Sequence, residues 1–182
     1  MNKTRRLFVG LPLTEALRTR LTREMVLFPK EAVLLTAPEN LHVTLFFLGF
    51  VHEEDVVEMC TRVGEVCATR SSFELSFTGL TLLESPENPK MIWLAGEGSE
   101  ALRALREDVE KAFSSFVTEK KVYRPHITLA KIKKQKWLAL SEQPVLKEKL
   151  HIIEPVDTVA VYESLAIDGK RRYMPIDTFP LV

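Results

Sequence analysis

The tetrapeptide His-x-Thr-Leu occurs twice, as HVTL at residues 42–45 and HITL at residues 126–129, 84 positions apart. The chain has only four histidines. From its threonine and leucine content, two of the four would carry Thr-Leu by chance on the order of six times in ten thousand. Each copy lies in a short run, LHVTLFFLG (41–49) and PHITLAKI (125–132), that is β-branched, apolar and too short for a typical helix. On a strand, residues two apart point the same way, so His42 and Thr44 share one face, as do His126 and Thr128. Val43 and Leu45, and Ile127 and Leu129, then face a core. A duplicated strand of this kind favours two similar lobes over a linear array.

The rest of the chain supplies partners for those strands. RRLFVGLPL (5–13) reads as a first strand closed by Pro12. A helix from Thr14, a candidate N-cap, carries Leu17, Leu21 and Met25 at helical spacing. Residues 52–70 read as a helix with acids in its first turn and a stripe of Val56, Cys60, Val63 and Cys67. Strands at 73–83 and 91–97 flank the turn-forming ESPENPK. A helix over 99–116 has Ser99 as its cap and Leu102, Leu105, Val109 and Phe113 as its stripe. Segments 158–167 and 171–179 around DGK form a hairpin signal. Seven or eight strands and three or four helices, without strict alternation, give an α+β class: a bilobal chain with two antiparallel sheets and flanking helices.

With 182 residues the chain suits a single domain, 1–182, made of two lobes, and no segment reads as a linker. Charges balance at 25 against 25, which excludes a global field that collects nucleic acid; any such contact should be local. The N-terminal run meets arginine too early for a signal peptide, and no stretch reaches the ~20 apolar residues of a membrane helix. Cys60 and Cys67 read as buried thiols of a reducing compartment, so the expected location is cytoplasmic. No Cys/His pairing resembles a metal-ligand set, and neither histidine motif has a carboxylate nearby; no metal or cofactor is expected. His52 and His151 lack the Thr-Leu context and read as surface or capping residues.

One His beside Thr is a common structural pair. Two copies in two lobes would bring two imidazoles and two hydroxyls to one cleft. Imidazoles titrating near neutrality can serve as base and acid on opposite sides of a reacting centre, and threonine hydroxyls can donate to the oxygens of an anion between them. A phosphodiester needs that set. No G-x-S-x-G elbow competes with it. Around the second motif lie Lys120, Lys121, Arg124, Lys131, Lys133, Lys134 and Lys136, mostly readable as a solvated face. Lys131, five residues after His126, faces away from it unless the strand bends or bulges. Phe8, Trp93 and Tyr123 are aromatics that could stack on a base.

The two motifs and their flanks, RRLFVGLPL, LHVTLFFLG, MIWLAG, RPHITLAKI and VYESLAIDGKRRYMPI, resemble the 2H phosphoesterases. Within them the chain is most similar to the RNA 2′,3′-cyclic phosphodiesterases, historically called 2′-5′ RNA ligases. The resemblance implies lobes related by a pseudo-two-fold axis, with the active site in the groove between them. It implies metal-independent opening of a 2′,3′-cyclic phosphate, on RNA ends or small nucleotides, to a 2′-phosphate. His42 would give a proton to the departing 3′-oxygen, His126 would activate water, and Thr44 and Thr128 would hold phosphate oxygens. Lys131, Arg124, Tyr123 and Phe8 would contact the substrate; relatives often have Arg where this chain has Lys131, which trades a bidentate contact for a point charge. No protein partner is implied, and a monomer is expected. Cleavage of 2′-5′ linkages or of a cyclic ADP-ribose phosphate, and nucleotide binding without turnover, are the competing readings.

Overall fold

The computed structural model describes residues 3–113, 123–147 and 149–182. Lys120, Lys121 and the last turn expected of the 99–116 helix lie outside them. Among the described residues nine strands form one antiparallel sheet. In chain order the elements are β1 (Thr4–Pro12), α1 (Glu15–Met25), β2 (Val33–Leu35), β3 (His42–His52), α2 (Val56–Cys67), β4 (Phe73–Leu83) and β5 (Met91–Gly96). They continue with α3 (Glu100–Ala112), β6 (His126–Ile132), α4 (Lys134–Leu138), β7 (Ile152–Val156), β8 (Thr158–Ile167) and β9 (Lys170–Pro180).

The strand order is β7-β4-β5-β6-β3-β1-β8-β9, with β2 added to β6. The two histidine strands therefore lie side by side at the centre. Each follows a strand and a helix: β1–α1 leads, by way of the short β2, to β3, and β5–α3 leads to β6. The sequence predicts two antiparallel sheets; the two halves, β7-β4-β5-β6 and β3-β1-β8-β9, are continuous in one sheet because β3 and β6 pair at one position, Val43 with Ile127.

Sequence chemistry accounts for the element ends. Thr14 caps α1 by accepting the Leu17 N–H at 3.3 Å, and Ser99 caps α3 by accepting the Leu102 N–H at 3.1 Å. Asp168 and Gly169 both have positive φ, 50° and 71°, as the tight β8–β9 turn requires. Strands β1 and β3 alternate: Leu7, Val9, Leu11, Val43 and Leu45 enter one hydrophobic core with Leu17 and Leu21 of α1, Val63 of α2 and Leu105 of α3. Cys60 and Cys67 are buried free thiols of α2, and burial pushes the Cys67 thiol up to about 11. Helices also pack across the halves, α1 against β6 and α3 against β3. No helix among the described residues is long and apolar enough to cross a membrane. His42, Thr44, His126 and Thr128 lie on the sheet face opposite the one that Val43 and Ile127 turn to the core.

Candidate active site

The single β3–β6 pairing at Val43 and Ile127 is antiparallel. One residue to either side, that register sets His42 across from Thr128 and Thr44 across from His126. Val43 and Ile127 are 1% and 0% exposed and anchor the pair in the core. The four motif side chains are half-buried on the other face. A local two-fold thus relates the two copies of the tetrapeptide, which is why an offset of 84 recurs throughout the site.

It recurs in the backbone as well. The β1/β3 register slips between Val9 and Gly10, leaving Leu45 without a partner. The β5/β6 register slips between Ile92 and Trp93, leaving Leu129 without one. Each His-x-Thr is therefore followed by a bulge at its leucine, and a bulge reverses the alternation of faces. Phe47 comes back to the groove face opposite Phe8, the rings 6.0 Å apart. Lys131 comes back likewise. It lies opposite Met91, which shares a face of β5 with Trp93, and the Trp93 ring stacks on His126 at 3.6 Å and 17°. Strict alternation turned Lys131 away from His126; the bulge corrects that reading. Its ammonium is exposed and has no hydrogen-bond or ion-pair partner among the described residues.

Both imidazoles are held by the main chain two residues earlier. His42 Nδ1–H donates to the Asn40 carbonyl oxygen and His126 Nδ1–H to that of Arg124, each at 2.7 Å. A carbonyl only accepts, so Nδ1 carries the proton and Nε2 is left for chemistry. In neutral His42, Nε2 accepts from the Thr44 hydroxyl at 2.9 Å. His126 Nε2 has no such partner among the described residues.

The surroundings of the two rings differ. Phe8, Tyr162 and Tyr173 enclose His42 at centroid distances of 4.8, 5.7 and 5.1 Å, Tyr173 edge-on. Gly10 permits that packing: a Cβ there would lie 2.9 Å from the Val43 carbonyl oxygen and 3.3 Å from His42 Cδ2. Desolvation in this box lowers the His42 pKa to about 4, against the raising effect of the Asn40 bond, and charge on His126 lowers it further. Burial also lowers the His126 pKa. Both shifts favour the neutral imidazole.

Asn40, 6% exposed, was not singled out by any motif. Its side-chain amide donates to the Arg171 carbonyl at 2.7 Å and accepts the Tyr173 N–H at 2.9 Å, so it fastens β9 while its own carbonyl holds His42. Tyr162 and Tyr173 were missed too. They reach the site through long-range pairing, Tyr162 opposite Phe8 and β9 beside β8, which no local sequence pattern signals.

Two expected substrate contacts turn out to be supports. Phe8 is 3% exposed with its face against Tyr162 at 5.0 Å, so no open face remains for a base. Tyr123 donates its hydroxyl to the Thr44 carbonyl at 2.9 Å and carries the Arg106 guanidinium 4.2 Å over its ring. Arg124 contributes its carbonyl to the site; its side chain is exposed and without a charged partner among the described residues. No group of three or more His, Cys, Asp or Glu side chains suited to a metal occurs among the described residues.

A sequence model of the 2′-5′ RNA ligase superfamily matches residues 15–166, most of the chain and both histidine motifs. The chain belongs to that superfamily. Among curated relatives, a protein of Aeropyrum pernix named RNA 2′,3′-cyclic phosphodiesterase is 37% identical over 98 residues, 52% of this chain and 54% of its own. The chain thus spans about half the length of that relative. One of Archaeoglobus fulgidus with the same name is 30% identical over 132 residues, 71% of this chain and 74% of its own. The superfamily fold is matched by solved structures. TT0787 of Thermus thermophilus superposes with a TM-score of 0.84 at 22% identity, covering 97% of both chains. E. coli LigT in apo form gives 0.80 at 22% identity over 98% of both chains.

Proposed function

We propose that the protein hydrolyses 2′,3′-cyclic phosphates on RNA ends or nucleotides, leaving a 2′-phosphate, with His42 and His126 as the proton-transfer pair. The observation that carries this reading is the two-fold His/Thr square about Val43 and Ile127, both rings held through Nδ1. Relatives named RNA 2′,3′-cyclic phosphodiesterase support the substrate class.

Water attacks phosphorus from the His126 side and loses its proton to His126 Nε2. The bond from phosphorus to the 3′-oxygen breaks, and His42 Nε2–H supplies the proton that makes the 3′-hydroxyl. The Thr44 and Thr128 hydroxyls donate to the non-bridging oxygens, and Lys131 adds positive charge to the same face. His42 enters the groove neutral, whereas an acid must be protonated. The phosphodiester anion supplies the difference, because a negative charge in contact favours imidazolium. Thr44, released from His42 Nε2, is then free to face the phosphate.

These residues cover every proton and charge in the step, so turnover of 2′,3′-cyclic AMP should survive excess EDTA. Phosphorus NMR should show the 2′-monophosphate. Activity abolished by EDTA and restored by a divalent ion, or a 3′-phosphate product, would overturn the assignment.

A further inference from the structure

Beyond Thr44, strand β3 carries two large apolar side chains in solvent: Phe47 is 64% exposed and Phe50 73%. Both lie on the groove face. Phe47 is opposite Phe8, whose ring touches His42. A second slip, between Leu7 and Phe8, leaves Leu48 without a partner, and Gly49 at φ +77° makes the bend. Leu48 and Val51 consequently point into the core, and Phe50 emerges beside Phe47, opposite Arg6. The two rings are about two strand residues, or about 7 Å, apart. Arg6 is exposed and pairs with no acid among the described residues, whereas its neighbour Arg5 is tied to Glu163 on the other face. The strip ends at the acidic turn Glu53–Asp55.

Two bulges placed to bring phenylalanines out into water, in line with the histidine site and beside an unpaired guanidinium, fit a strand of bases and a phosphate. From this we infer that Phe47, Phe50 and Arg6 form a subsite for the nucleotides that precede the reacting 3′ end of a single-stranded RNA. Each ring offers a π-face to one base, and Arg6 meets the phosphate between them. The acidic turn repels further backbone, so the subsite holds about two nucleotides and no long tract. This inference rests on the phosphodiesterase reading and makes an oligonucleotide end, rather than a free mononucleotide, the preferred substrate.

The test compares kcat/KM for 2′,3′-cyclic AMP with that for di-, tri- and pentanucleotides ending in the same cyclic phosphate. Trinucleotide is expected to exceed mononucleotide by about fivefold or more, the low end for one stacked base, with no further gain at the pentanucleotide. Phe50→Ala, at an exposed position, should erase most of that gain and leave cyclic AMP turnover within about twofold; Arg6→Gln should weaken the trinucleotide and flatten its salt dependence. Equal kcat/KM for all lengths, or an equal loss on mono- and trinucleotide in Phe50→Ala, would overturn the subsite. Binding of a 5′-labelled trinucleotide by anisotropy separates the two claims. Phe50-dependent binding without turnover would remove the phosphodiesterase reading and keep the subsite, and binding that Phe50→Ala leaves unchanged would remove the subsite.

Discussion

At His42, burial and substrate charge act in opposite directions. The aromatic box lowers its folded pKa to about 4, below the ~6.5 of an exposed imidazole. Between those values the unfolded chain binds the proton that the folded chain refuses. Stability should therefore rise with pH from about 4 to about 6.5 and be level above, with a slope of up to ~1.4 kcal/mol per pH unit from this residue. Urea titrations across that window should show the rise, and His42→Asn should flatten it. Catalysis should show the opposing effect. In the free enzyme both imidazoles are depressed, so the alkaline limb of kcat/KM should begin at low pH. With the anion bound, the His42 pKa is raised, and the alkaline limb of kcat should lie at higher pH than that of kcat/KM. Coincident limbs would mean that the phosphate does not sit against His42.

The bulges at Leu45 and Leu129 turn a two-residue alternation into a working face. Gly10 lies across from Thr44, inside the first of them, where there is no room for a methyl group. Gly10→Ala should push the Val43 carbonyl or the His42 ring and cut turnover by about tenfold or more while the protein stays folded by circular dichroism. Normal turnover would show that the packing of the His42 ring against Gly10 does not matter. Much of this element was legible beforehand. Alternation placed Val43 and Ile127 in the core, and the repeat placed four polar side chains on one face. The bulges were not legible, because one extra residue per strand leaves no propensity signal; hence the side on which Lys131 lies stayed conditional on a bulge. The strand β7 escaped for a different reason. Its Pro155 argues against a strand, and the sheet accepts it only because β7 is an edge. Phe8 and Tyr123 carried the right composition for base stacking, but only the fold shows Phe8 buried against Tyr162 and the Arg106 guanidinium over one face of Tyr123.

Across the whole molecule, the groove is set by how the two halves are joined. They share one core, exchange helix contacts, and meet at Glu154, a carboxylate 3% exposed on β7. Its two oxygens accept the Thr14 N–H at 2.5 Å and the Thr14 hydroxyl at 2.9 Å, tying an edge strand of one half to the α1 cap of the other. Glu154→Ala should leave those donors unpaired and cost ~1–3 kcal/mol, seen as a lower urea midpoint at an unchanged m-value. An unchanged midpoint would show that the link contributes nothing. What this junction holds together is a pair of histidines acting on one phosphorus. A double-mutant cycle on hydrolysis of 2′,3′-cyclic AMP tests that pairing most directly, with folding checked by circular dichroism. His42→Ala and His126→Ala should each lower turnover by ~10²–10⁴, and the double variant should lose far less than the product of the two. Near wild-type turnover in either folded single variant, or two losses that simply multiply, would contradict it.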